Sequence, residues 1–155
     1  MKVSKEIAQI LINAFNRNNR VYICGNGGSA AESSHFVGEL LCKLAKWRKP
    51  LPAFSLSDLS VITAIANDLG FDQIFSRQIE AYGQKGDVLV TLSTSGKSLN
   101  ILNATREATI KEMITISLPT NEILKMNTTQ TQEIHLKMIH EICQEVEDYF
   151  FDYSL

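Results

Sequence analysis

The sequence predicts an α/β fold, a three-layer α-β-α sandwich built on a central parallel sheet. Two observations predict it. The runs "RVYICG", "DVLVTLS" and "MITISL" are apolar almost without a break, as strands are when both faces of their sheet are covered. Between them lie stretches with apolar residues at helical spacing, and strands alternating with helices build parallel sheets. A further feature, small-residue loops directly after two of these strands, marks where such a sheet binds its ligands.

Taken in order, "EIAQILINAF" is an amphipathic helix leading into the strand "RVYICG". Helical spacing resumes from Ala30 to about Lys43 and closes near Pro50 and Pro52. "LPAFSLS" (51–57) is a second strand, and Asp58 caps the short helix "DLSVITAIAND". "FDQIFSRQIEAYG" reads as one further helix stopped by Gly83. The β-branched run at 87–93 is a buried strand, followed by a helix from about Leu99 to Lys111. A strand at 113–118 and a long terminal helix, "TQEIHLKMIHEICQEVEDYFF", complete the pattern. The chain therefore divides into an N-terminal helix (1–20), a sheet core (21–118) and a C-terminal helix (130–151). At 155 residues, 1–155 suits one domain around a single core.

Composition removes several function classes. A net charge of −2 leaves no nucleic-acid footprint, and the short basic run "KLAKWRKP" reads as a solvated helix end. No run of about 18 apolar residues is present, so no membrane span is expected. The N-terminus reads as a helix, not a signal peptide, because it lacks a small-residue cleavage site. Three cysteines (Cys24, Cys42, Cys143) without CxxC spacing argue for reduced thiols in the cytoplasm.

Two loops carry chemistry. "GNGGS" (25–29) and "STSGKS" (93–98) each follow a strand and precede a helix. Small residues there leave backbone N–H groups free to grip an anion, and the helix dipole favours negative charge. Ser93, Thr94, Ser95 and Ser98 add hydroxyl donors, so the pair of loops suits a phosphate monoester. An ordinary Ser/Thr turn would account for only one or two of these hydroxyls. Two better-known glycine motifs fail on spacing. "GNGGSA" fits a loose dinucleotide fingerprint, but no carboxylate ends the next strand about twenty residues on. "SGKS" resembles the end of a phosphate-binding P-loop, but the glycine that motif needs is Thr91.

Protic groups come next. On a helix over Ala30–Lys43, His35 and Glu39 share one face. Such a pairing also occurs simply as exposed helix decoration. Here its place about two turns beyond the glycine loop favours a metal or proton site. Gln132 and His140 are eight apart, about 80° around a helix, and can point into one site, whereas His135 faces elsewhere. His140 alone also fits a buried structural histidine.

"CGNGGSAAESSHFVGEL", "AIANDLGFDQIFSRQIEAYGQKGDVLVTLSTSGKS" and "QEIHLKMIH" together closely resemble the phosphoheptose isomerases of the SIS (sugar isomerase) family. The likeness runs through Val21–Lys111 and resumes from Gln132. It implies a flavodoxin-like SIS fold and a homotetramer with active sites at subunit interfaces. It also implies conversion of sedoheptulose 7-phosphate to D-glycero-D-manno-heptose 7-phosphate, toward lipopolysaccharide or related glycans. By the same resemblance one zinc per subunit would be held by His35, Glu39, Gln132 and His140. The sugar phosphate would be held by Asn26, Gly27, Gly28, Ser29, Asn67, Asp68, Ser93, Thr94, Ser95 and Ser98, with Glu39 and Gln132 touching substrate as well. Glu39 would be the base and His140 the acid of an enediol mechanism.

The chain departs from that family pattern in four places. It is shorter at the N-terminus and between "ITISL" and "QEIH", where a Gly-rich loop and a later strand are expected to be missing. Lys43 stands where an arginine is common, keeping charge but losing bidentate geometry. "QTQ" replaces the usual "RIQ". A rival reading is a non-catalytic SIS scaffold that binds the replication initiator, but such relatives lack the His35, Glu39 and His140 combination. A sugar-phosphate sensor would need the phosphate loops without the protic groups, and an isomerase of another sugar phosphate would use the same residues.

Overall fold

The computed structural model describes residues 2–118 and 126–151. In chain order the elements are α1 (Lys2–Asn16), β1 (Val21–Gly25), α2 (Gly28–Leu41), β2 (Ala53–Ser55), α3 (Leu59–Asp68), α4 (Ser76–Tyr82), β3 (Val88–Leu92), α5 (Leu99–Ile110), β4 (Ile114–Leu118) and α6 (Thr128–Phe150). The strands form one parallel sheet in the order β2-β1-β3-β4. The expected shortening between the fourth strand and the last helix falls mainly on 119–125, outside the described residues.

Strand pleating sorts the core into two layers. Val21 and Ile23 of β1 and Val88, Val90 and Leu92 of β3 face α1, α2 and α6. Tyr22, Cys24 and Leu89 point the opposite way, against α4 and α5. All residues of β1 and β3 are buried. This is why those strands read as unbroken apolar runs: both faces must be apolar. β4 lies at the sheet edge and is half exposed.

The helix expected over 71–83 is broken. A single 3-10 turn at Phe71–Gln73 precedes α4. Gly70 enters it at φ 108, a backbone region that glycine occupies without strain. The Ser76 hydroxyl then donates to the Gln73 side chain at 3.1 Å, a local bond that competes with helix continuation. The interruption lets Ile74 and Phe75 both enter the core. Asp58 does cap α3, accepting from the amides of Ser60 (2.9 Å) and Val61 (3.1 Å).

Buried Asp87 ties the other end of the sheet together. It accepts from the Arg20 amide (2.9 Å), the Gln84 amide (3.0 Å) and the Asn19 side chain (3.2 Å) just before β3 begins. Replacing Asp87 with alanine leaves these donors without their acceptor. The expected loss is about 2–4 kcal/mol, read in urea as a lower midpoint at unchanged slope.

Candidate active site

β1 sits between β2 and β3, so the connections after β1 and β3 diverge to opposite faces of the sheet. A crevice opens between them at the carboxyl ends of the strands, the usual ligand position in open parallel sheets. Gly27 heads α2 at φ 58, and no side chain caps the first turn. Ser98 heads α5, also without a side-chain cap bond. Two helix N-termini thus open beside each other, neither with a side-chain cap.

In the second loop, the Ser93 hydroxyl accepts from the Gly96 amide (3.0 Å) and the Ser95 hydroxyl from the Lys97 amide (3.2 Å). These are turn bonds, and they use the oxygens as acceptors while the hydroxyl protons remain available to an anion. Asn26 and Asn100 exchange paired amide bonds of 3.0 and 2.8 Å, locking the β1 loop to the first turn of α5. Asn100 is a site residue that sequence reasoning misses. Its one signal there is a polar residue in the opening turn of a helix that follows an anion loop. Asn26, Ser98 and Asn100 line an open depression that Phe71 and Asp72 complete.

The protic residues gather farther along α2. His35 Nε2 lies 3.0 Å from His140 Nε2 and 3.4 Å from a Glu39 oxygen. One ligand atom from each of the three falls within 4.8 Å of the others, so the group could hold a metal ion. The second Glu39 oxygen is buried and has no hydrogen-bond partner. Facing imidazole nitrogens, a carboxylate and an orphaned oxygen form a donor set suited to a divalent cation. All three residues come from one chain.

Gln132 lies at the other end of α2, where its amide occupies the space a Cβ on Gly28 would need. His135, expected to face elsewhere, is fully buried with Nδ1 3.2 Å from Glu32 Oε2 and does not join the cluster. Asn67 and Asp68 hydrogen-bond to each other (2.8 Å) at the exposed end of α3. Among the described residues they bond to neither loop. From Gly28 to His35 the helix rises about 10 Å, which separates the head of α2 from the cluster.

Comparison with known proteins gives a consistent result. Residues 3–120 match the SIS domain family. The phosphoheptose isomerase of Fusobacterium nucleatum is 39% identical, the match covering 97% of this chain and 84% of that one. The phosphoheptose isomerase of Helicobacter pylori is 41% identical over 94% of this chain and 83% of its own. Among solved structures, a phosphoheptose isomerase from Neisseria gonorrhoeae superposes with a TM-score of 0.85 at 33% identity, covering 96% of this chain and 86% of that one. One from Francisella tularensis gives 0.84 at 31% identity, covering 94% and 85%.

Gly28→Ala is a probe of the crevice. Its Cβ would meet only the end of the flexible Gln132 side chain, so stability is expected to stay within about 1 kcal/mol. Thermal unfolding checks that, and a crystal structure of the variant is expected to show Gln132 turned away from α2.

Proposed function

The chain belongs to the phosphoheptose isomerases of the SIS domain family, and we propose that Glu39 and His140 carry its ketose–aldose isomerisation of sedoheptulose 7-phosphate. The observation that supports this most is the His35–Glu39–His140 cluster, set along α2 from two uncapped helix N-termini.

In this reading the amides at the heads of α2 and α5, with Ser29, Ser93, Thr94, Ser95 and Ser98, hold the phosphate. Asn26, Gly27 and Gly28 form the floor of the cradle. The carbonyl end of the sugar extends toward Glu39. The Glu39 carboxylate removes the proton from C1 and returns it to C2, while an imidazole moves a proton between the two oxygens. Both transfers need the group within hydrogen-bond reach of its atom, which the phosphate anchor secures by fixing the far end of the chain. Gln132, at the cradle end, contacts substrate, and Asn67 and Asp68 contribute from the exposed end of α3.

His35, Glu39 and His140 would hold a zinc ion, whereas Gln132, expected as the fourth ligand, lies against Gly28 at the other end of α2 and does not reach them in this chain. Such an ion would supply a Lewis acid for the carbonyl and for the charge that develops beside it. His140 presents Nε2 toward His35. A nitrogen that ligates a metal has no lone pair left for a proton, so His140 could then act as acid only through Nδ1. A homotetramer with sites at subunit interfaces is supported by α3, which buries no residue of its own, and by the exposed Leu59, Leu69 and Phe71 in and just after it. A cytoplasmic location is supported by the free cysteines Cys24, Cys42 and Cys143. Among the described residues, no helix is long and apolar enough to cross a membrane.

A coupled assay with sedoheptulose 7-phosphate tests the reading. Glu39→Gln and His140→Gln are each expected to lower kcat on the order of 10²–10⁴-fold with the fold intact by circular dichroism. Full turnover by Glu39→Gln would remove it as the base. A wild-type protein that stays inactive with zinc, yet binds the replication initiator, would establish the scaffold instead. Separately, stripping the protein with a chelator is expected to abolish turnover and zinc to restore it. Undiminished turnover in chelator would show that the metal has no catalytic part.

A further inference from the structure

α2 ends at Leu41, half a turn after Glu39, and the chain then crosses to β2 through a connection without regular structure. The first residues of that connection share one anchor. The amides of Leu44, Ala45 and Lys46 all donate to the Glu147 carboxylate, at 2.7, 2.7 and 2.5 Å. Glu147 is fully buried on α6, seven residues beyond His140 and therefore on nearly the same face. Burial alone would raise its carboxyl, yet the three amides and Arg48 together hold it below the usual glutamate range.

Arg48 supplies the second half. It is buried, with Nε 3.9 Å from the Glu147 carboxylate. Its guanidinium donates to the carbonyls of Glu39 (2.6 Å), Leu40 (2.8 Å) and Lys49 (3.1 Å). Two of these are among the last carbonyls of α2, which have no partner inside the helix. A planar fork can reach both at once, which a lysine ammonium cannot.

The carboxylate of Glu39 needs such support. Among the described residues, one oxygen pairs with His35 at 3.4 Å and the other is buried without a hydrogen-bond partner. The carboxylate holds no short hydrogen bond of its own among the described residues, so its place depends on the peptide to which it is attached. We propose that Arg48 and Glu147 form a positioning clamp that sets Glu39 against His35 and His140 by tying the end of α2 to α6. Neither clamp residue touches substrate; they act through the backbone of Glu39. The proposal rests on the reading of Glu39 as base and ligand.

The test compares Arg48→Lys and Glu147→Gln with Asp87→Ala, which removes a buried carboxylate at the far end of the sheet. For both clamp variants kcat per folded molecule is expected to fall about tenfold or more while KM stays within about twofold, because the phosphate cradle is untouched. Zinc titration of the metal-free protein is expected to show affinity about tenfold weaker, a readout that does not depend on turnover. Asp87→Ala is expected to lose stability yet keep wild-type kcat and zinc affinity. If Arg48→Lys fails to fold, Glu147→Gln, which removes charge but keeps an acceptor oxygen, decides alone. Clamp variants that lose stability while keeping kcat and zinc affinity would overturn the proposal. An inactive wild type would instead fault the isomerase reading and leave the zinc comparison standing.

Discussion

The register between α2 and α6 is the constraint on which the site depends. The two helices lie on the same face of the sheet and run in the same direction. Gly28 meets Gln132, Glu32 meets His135, His35 meets His140, and the turn after α2 meets Glu147. Because both helices rise at the same rate per residue, setting one of these pairs sets the others. Phe36 and Leu40 below α2, and Met138, Ile139 and Ile142 below α6, are buried in the same apolar layer. Their burial fixes the rotation of each helix and turns the polar residues toward one another. A core of this kind resists small displacements, so packing, together with the Arg48–Glu147 tie at the end of α2, holds the spacing of His35, Glu39 and His140, rather than contacts among the three.

The parallel sheet contributes the other half of the arrangement. Because β1 and β3 are adjacent and point the same way, their following helices begin side by side. Two helix N-termini facing one crevice concentrate amide dipoles where a doubly charged group can sit, without any buried cation. The Asn26–Asn100 pair keeps the two loops from separating. The glycine loop and the protic cluster are therefore linked through α2, which starts at the one and carries the other. Positioning of this kind is what a proton transfer at a fixed carbon requires.

α3 stands apart from this arrangement. It is capped well by Asp58 and rich in apolar residues, yet only Ile62, Ile65 and Ala66 lean on the core. Its exposed residues are Leu59, Ser60, Thr63, Ala64, Asn67 and Asp68, a mixed polar and apolar surface. The Asn67–Asp68 pair closes its end, and among the described residues these groups bond to neither loop.

Much of the fold is legible along the chain because local physics dictates it. Unbroken apolar runs such as "VYICG" arise only where both faces are covered, so the parallel sheet and its flanking helices follow directly. The glycine loops and the His35–Glu39 spacing are also readable, since a helix puts residues four apart on one face whatever surrounds it. The break after Gly70 is hidden because the helical spacing of "FDQIFSRQIEAYG" is real. What interrupts it is the need to bury Ile74 and Phe75 together. Glu32, Arg48 and Glu147 leave no sequence signal of their roles and Asn100 only its place in an opening helical turn, for their partners lie between about 8 and 100 residues away. Local pattern thus specified the elements and the chemistry each one carries. Which side chains meet was decided only when the sheet brought α2 and α6 into register, because contacts between distant segments depend on packing and not on spacing.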